Sequence, residues 1–227
     1  MTARHPMDCY LTPPCAARAI GMWLASLGRG YVPHHLLDPF AAAGSLLVWA
    51  SDLCTDLRFD RLFAHELDIR WGPELHTRLK PFYVSLGRDS FVMPWTVVGG
   101  IAPHIITNPP FGRTLAAVER CRAHAYTHRR WACVLMRTDW WQHPGRQHLA
   151  PDHFLALEWR PVFGLNKHGK FSTDYAGYVW CVWEPVATGS TRMAFLARPE
   201  VPQEMVAEHR RLARMAHEMV REMAQGA

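Results

Sequence analysis

Ile105-Ile106-Thr107-Asn108-Pro109-Pro110-Phe111-Gly112-Arg113 changes character in its middle. Its β-branched start fits a buried strand, and the amide, two prolines and aromatic that follow cannot continue one. A strand over 104–107 therefore ends in a loop of restricted shape that carries Asn108 and Phe111. The same punctuation recurs upstream. A strand over 34–38 ends in Asp38 and enters Pro39-Phe40-Ala41-Ala42-Ala43-Gly44, whose small residues let a ligand approach the backbone before a helix opens over 45–51. Another strand over 61–65 stops at Glu66, with Asp68 placed to cap a helix over 73–79. A third, over 82–86, leads to Gly87-Arg88-Asp89-Ser90.

Strands that alternate with helices predict a largely parallel α/β sheet, and ligands of such sheets bind beyond the carboxyl ends of the strands. Gly44, Glu66, Asp89 and Asn108 all fall at those ends. Ahead of the first strand, Thr12 can cap a helix over 16–27 whose first turn tolerates Pro13 and whose end lies near Gly28 and Gly30. Beyond the opening stretch comes a helix over 113–124, burying Leu115, Val118 and Cys121, and then a strand over 131–136.

Residues 138–176 break the rhythm and read as a surface insertion rich in Trp, His and Pro. There Arg160, Lys167 and Lys170 suit phosphate contacts, and Trp140 or Trp141 could flank a base or fold back onto the sheet. Strands over 177–184 and 190–197 suggest an antiparallel edge or hairpin. Met205, Leu212, Met219 and Met223 recur at helical spacing, so a C-terminal helix over 200–225 packs on the core or on a partner.

The 227 residues fit a single domain, and a hydrophobic fraction of 49% with ten Trp supplies a sizeable core. A formal charge of +5 permits a polyanionic partner without requiring one. Cys9, Cys15, Cys54, Cys121, Cys133 and Cys181 contain no CxxC pair and read as reduced thiols. No signal segment or membrane-length apolar run is present, so a cytoplasmic location is expected, with no membrane contact. His124 and His128 share a helix face but lack a third ligand, so no metal site is expected. Neither a Ser-His-Asp arrangement nor a phosphate-cradling Gly-rich loop with Lys stands in the sequence.

Taken together, Tyr10-Leu11-Thr12-Pro13, Asp38-Pro39-Phe40-Ala41-Ala42-Ala43-Gly44, the acidic ends at Glu66 and Asp89, and Asn108-Pro109-Pro110-Phe111 resemble the class I S-adenosylmethionine-dependent methyltransferases, in particular the adenine-N6 enzymes of DNA. The resemblance spans most of residues 10–183, and the order of its parts looks like the gamma arrangement. It implies a Rossmann-like sheet with flanking helices and a small recognition insertion. It also implies S-adenosylmethionine as cofactor, held by Tyr10, Thr12 and Pro13, by Asp38, Pro39, Phe40, Ala41 and Gly44, by Glu66 at the ribose, Asp89 at the adenine, and Asn108. By the same resemblance Asn108, Pro109, Pro110 and Phe111 form the catalytic loop, with Arg113, Trp140, Trp141, Arg160, Lys167 and Lys170 facing DNA. RNA adenine and protein glutamine are alternative acceptors, since the Asn-Pro-Pro-aromatic motif is shared. A catalytically silent nucleic-acid-binding or assembly protein is a further alternative, because Ala42 stands where the family commonly has Gly.

Overall fold

Side chains alternate between the faces of a strand, so a run of apolar residues without alternation marks a strand covered on both faces. A computed structural model describes residues 10–27, 35–52, 61–79, 83–96, 100–165, 170–173 and 176–225 of the chain. It contains β1 (His35–Asp38), β2 (Arg61–Glu66), β3 (Val84–Leu86), β4 (His104–Thr107), β5 (Ala132–Arg137), β6 (His153–Leu157), β7 (Tyr178–Trp183) and β8 (Arg192–Leu196). These form one sheet in the order β3-β2-β1-β4-β5-β7-β6-β8. From β3 to β5 every pairing is parallel, and β7 runs antiparallel to both β5 and β6.

Leu37, Ile105, Val134 and Cys181 belong to the core on one face, and Leu36, Ile106, Cys133 and Trp180 to the core on the other. Each pair of neighbours in sequence is thus split between the faces. Helices α1 (Pro14–Ser26), α2 (Ser45–Ser51), α3 (Gly72–Arg78), α4 (Thr114–His128) and α5 (Gln203–Gln225) flank the sheet. Gly21 lets α1 press against α2: a Cβ there would sit 2.4 Å from the Ala50 carbonyl oxygen. That contact seats α1, which begins directly after Tyr10–Pro13.

Several expectations change. Thr12 does not cap α1; the chain enters through Pro13, whose carbonyl takes the Ala16 and Ala17 amides, and the Thr12 side chain is buried. Asp68 caps the short turn Ile69–Trp71, accepting the Arg70 amide, instead of capping α3 itself. Helix α4 runs four residues past the expected stop, to an Arg129 with φ 53°, and Leu115 faces outward while Val118 and Cys121 are buried.

The expected insertion over 138–176 contains β6, a sheet strand with alternating burial. β6 lies between β7 and β8, so the expected hairpin of the last two strands does not form. Asp152 explains the interruption. Its carboxylate takes the Glu184 amide at 2.9 Å and the Thr188 amide at 2.8 Å, folding the link between β7 and β8 around the start of β6. α5 buries Leu212, Ala213 and Ala216 and is pinned to α3 by Arg78–Glu208 and by a two-pronged Arg211–Glu74 pair. Lys167, Cys9, Cys54 and Gly28 to Gly30 lie outside the described residues. Among the described residues no helix is long and apolar enough to cross a membrane.

Candidate functional site

The strand order reverses between β1 and β4, and a crevice forms where neighbouring strands send their connections to opposite faces. Asp38 ends β1 and Asn108 follows β4, so the two expected functional turns emerge side by side at this point. The Thr107 hydroxyl donates to Asp38 Oδ1 at 2.7 Å, and the Phe40 amide donates to the same oxygen at 3.0 Å. A recess opens above them, lined by Tyr10, Leu11, Thr12, Asp38, Phe40, Ala41, Ala42, Ser45, Leu46 and Asn108. Six of these were expected from the sequence. Leu11, Ala42, Ser45 and Leu46 were not; Leu11 and Ala42 lie inside quoted motifs and Ser45 and Leu46 just after one, but a motif does not say which way each side chain faces.

The 41–44 turn is left-handed at two residues, Ala42 with φ 45° and Gly44 with φ 74°. Gly44 serves the interior: a Cβ there would lie 2.9 Å from Leu75 Cδ2, and its amide closes the turn on the Ala41 carbonyl. Gly44 is not among the residues that line the recess, whereas Ala42 is. The Ala42 amide donates to Glu66 Oε2 at 2.6 Å, and the Asp68 amide donates to Oε1 at 2.8 Å. A carboxylate offers about four acceptor positions, so Glu66 keeps capacity for hydroxyl donors. Pro39 and Pro13 shape the turns on either side of the recess without lining it.

Burial dominates the electrostatics. It pushes the Asp38 carboxyl up to about 7, against the opposing effect of the Thr107 and Phe40 hydrogen bonds. Glu66 is also raised, again by burial. The Ser45 hydroxyl oxygen is buried and has no hydrogen-bond partner among the described residues. A buried hydroxyl left unpaired costs free energy. Its position on the wall of the recess fits a polar ligand that completes it, and the acidic groups at the strand ends fit a ligand with positive charge and hydroxyls.

Asn108 is oriented from outside its own loop. Its Nδ2 donates to the Tyr10 carbonyl at 2.8 Å, which fixes the amide and turns Oδ1 away as an open acceptor. The Tyr10 ring tilts against Phe111 with centroids 4.8 Å apart. Tyr10 thus braces the acceptor loop as well as lining the recess. Pro110 leads into a turn over Phe111–Arg113 that runs into α4. Arg113 is not a free cation: it pairs with Asp89 at 2.9 Å and lies over the Phe91 ring. That pairing, with the Phe91 amide, holds the Asp89 carboxyl below its usual range.

The expected recognition residues are dispersed. Trp140 and Trp141 pack in part on the sheet core, and the Arg146 guanidinium covers Trp140 at 4.4 Å. Arg160 and Lys170 are exposed and do not line the recess. His124 donates through Nε2 toward the Pro103 carbonyl, and burial lowers its basicity to about 4. Among the described residues no group of three or more His, Cys, Asp or Glu is placed to hold a metal ion. Cys15, Cys121, Cys133 and Cys181 are buried free thiols, raised by burial.

Comparison with known proteins gives the fold a name. No family model matches the chain, and no curated protein matches it. Solved structures do. A type I restriction-modification methyltransferase subunit from Streptococcus thermophilus is 16% identical with a TM-score of 0.56, covering 82% of this chain and 47% of that one. The chain therefore spans about half of that subunit. A candidate RNA methyltransferase from Pyrococcus horikoshii is 14% identical with a TM-score of 0.58, covering 83% of this chain and 93% of that one. A class I S-adenosylmethionine-dependent methyltransferase candidate from Listeria monocytogenes is 11% identical with a TM-score of 0.55, covering 92% of this chain and 71% of that one. The chain has the α/β Rossmann-like fold of the class I methyltransferases.

Proposed function

We propose that this protein transfers a methyl group from S-adenosylmethionine to an exocyclic amine, and that the amine is N6 of adenine in DNA. The observation that carries this reading is the anchoring of Asn108: its amide nitrogen donates to the Tyr10 carbonyl, and the residue lines the recess with its Oδ1 left to accept from a substrate donor. An amine held there meets an acceptor that needs no reorganisation.

S-adenosylmethionine supplies a methyl carbon made electrophilic by a positively charged sulfur. When bound, it would have Thr12 and Pro13 toward its methionine end and the 38–44 turn beneath it, with Glu66 to accept from the ribose hydroxyls and Asp89 from the adenine amine. At the acceptor, Asn108 Oδ1 and the Pro109 carbonyl accept the two N–H bonds of the amine. This draws the nitrogen lone pair out of the ring and stabilises the charge that develops on nitrogen. Phe111, backed by Tyr10, stacks on the flipped base and sets its plane. Pro110 holds the loop in shape. No strong general base is required, because the nitrogen sheds its proton to water after transfer.

DNA is supported by the gamma-like motif order and by the net charge of +5. The solved structures of similar fold include a restriction-modification subunit as well as a candidate RNA enzyme, so RNA is the acceptor that the assay must separate from DNA. Asn108→Ala tests the assignment. Transfer is expected to fall by about a hundredfold to a thousandfold, the usual loss of a single preorganised polar group. Calorimetry should find donor binding within a few-fold of wild type, and near-normal turnover by the purified variant would sink the role of Asn108.

A further inference from the structure

Asp89 and Asn108 belong to different subsites, yet one side chain touches both neighbourhoods. Arg113 closes the turn that follows Asn108-Pro109-Pro110-Phe111, and its Nη1 donates to Asp89 Oδ2 at 2.9 Å. Its guanidinium carbon lies 3.6 Å from the centroid of Phe91, the separation of a stacked pair. The other Asp89 oxygen accepts the Phe91 amide at 2.8 Å, and Phe91 stacks on Phe40 at 4.9 Å. The loop that presents these groups is anchored: Arg120 donates to the Ser90 and Met93 carbonyls, and Trp95 donates to Ser90 as well. Asp89 and Phe91 are therefore a fixed platform, and Arg113 is the group that lies on it.

We propose that Arg113 couples the two subsites, resting on Asp89 and Phe91 while the donor is absent and engaging a phosphate of the nucleic acid once the donor's adenine claims that platform. The proposal rests on the methyltransferase reading above. A purine placed at Asp89 competes with Arg113 for the carboxylate and needs the ring face that Arg113 covers. The side chains of Arg113 and Asp89 are 50% and 34% exposed, so their pairing is worth little in water and yields readily. A released guanidinium at the end of the catalytic loop gains more from a phosphate, where two parallel charge-assisted hydrogen bonds form. Donor binding thereby adds one phosphate contact for the acceptor, and the order of assembly becomes donor first, nucleic acid second. Linkage requires the reciprocal effect: nucleic acid tightens the donor by the same factor. Arg113 is a positioning residue in this scheme and takes no part in the transfer itself.

Fluorescence anisotropy with a short adenine-containing duplex, with and without S-adenosylhomocysteine, tests the coupling across salt concentrations. For wild type the nucleoside should tighten duplex binding about threefold to fivefold and steepen the salt dependence by about one released counterion. In Arg113→Ala both effects should vanish, with the weaker affinity present throughout. In Asp89→Asn the duplex should bind tightly without the nucleoside, because Arg113 is no longer held. Retention of the coupling in Arg113→Ala, or no coupling in wild type that demonstrably binds S-adenosylhomocysteine, would overturn the proposal alone. Wild type that binds no S-adenosylhomocysteine by calorimetry would instead remove the methyltransferase reading beneath it. Coupling to a glutamine-containing peptide but not to the duplex would also overturn it, since a peptide offers no phosphate.

Discussion

Ala42 adopts a left-handed backbone that glycine takes freely and alanine does not. It is held there by its amide's hydrogen bond to Glu66 and by the Gly44–Ala41 closure of the turn. Ala42→Gly should therefore raise stability by about 1 kcal/mol in thermal or urea unfolding. It should also tighten donor binding by removing a methyl from the recess wall. Unchanged donor affinity in that variant would show that the methyl does not crowd the ligand. Asp38 gives a pH signature. Its carboxyl keeps its proton up to about pH 7 in the folded chain but loses it near the usual carboxylate value when unfolded. Folding thus takes up a proton between those values, and stability declines as pH rises from about 4 to about 7. Asp38→Asn keeps an oxygen for Thr107 and Phe40 while abolishing the buried charge. Melting without donor should find it more stable than wild type at pH 8, by about 1–4 kcal/mol, and similar to wild type near pH 4. Equal slopes of stability against pH in the two proteins would contradict the assignment. For Ser45→Ala, removal of an unpaired buried hydroxyl should leave stability equal or slightly higher while weakening the donor by about tenfold.

At the scale of elements, the site depends on how α1 is seated. The closeness of Gly21 to the Ala50 carbonyl leaves no room for a methyl group. Gly21→Ala should cost about 1–3 kcal/mol and displace Tyr10, loosening its hold on Asn108. Turnover should then fall more than stability alone explains when assayed well below the melting temperature; unaltered turnover would separate α1 from the site. The elements that carry the recess were legible in the sequence because each announces itself locally. Asp38, Glu66 and Asn108 stand at the ends of short strand-like runs, and glycine or proline marks the chain reversals. β6 was not legible. Its five residues sit among histidines, prolines and tryptophans, and Asp152, which fixes its place, reads as an ordinary turn residue until Thr188 and Glu184 come round to it. The role of Tyr10 was half legible: its motif placed it at the recess, but its carbonyl bond to Asn108 spans a sequence separation of 98 and follows only from tertiary packing.

Over the whole molecule, the donor and acceptor subsites share the crevice where β1 and β4 diverge, and α5 braces the far flank through Arg78–Glu208 and Arg211–Glu74. The Arg211–Glu74 pair is partly exposed and contributes modestly, whereas the Arg78 side chain is buried, so α5 is held by the Arg78–Glu208 pair together with Leu212, Ala213 and Ala216. The recognition surface was the least legible part. Charge counts in a sequence do not reveal which cations are already paired, and Arg113 is paired with Asp89 while Arg146 is spent on Trp140. The direct test of the central claim is methyl transfer itself. The purified protein is offered labelled S-adenosylmethionine with DNA, RNA and protein in parallel, and the labelled product is digested and identified. N6-methyladenine recovered from DNA is the predicted result; label confined to protein glutamine or to cytosine, or none in any acceptor despite donor binding, would contradict it.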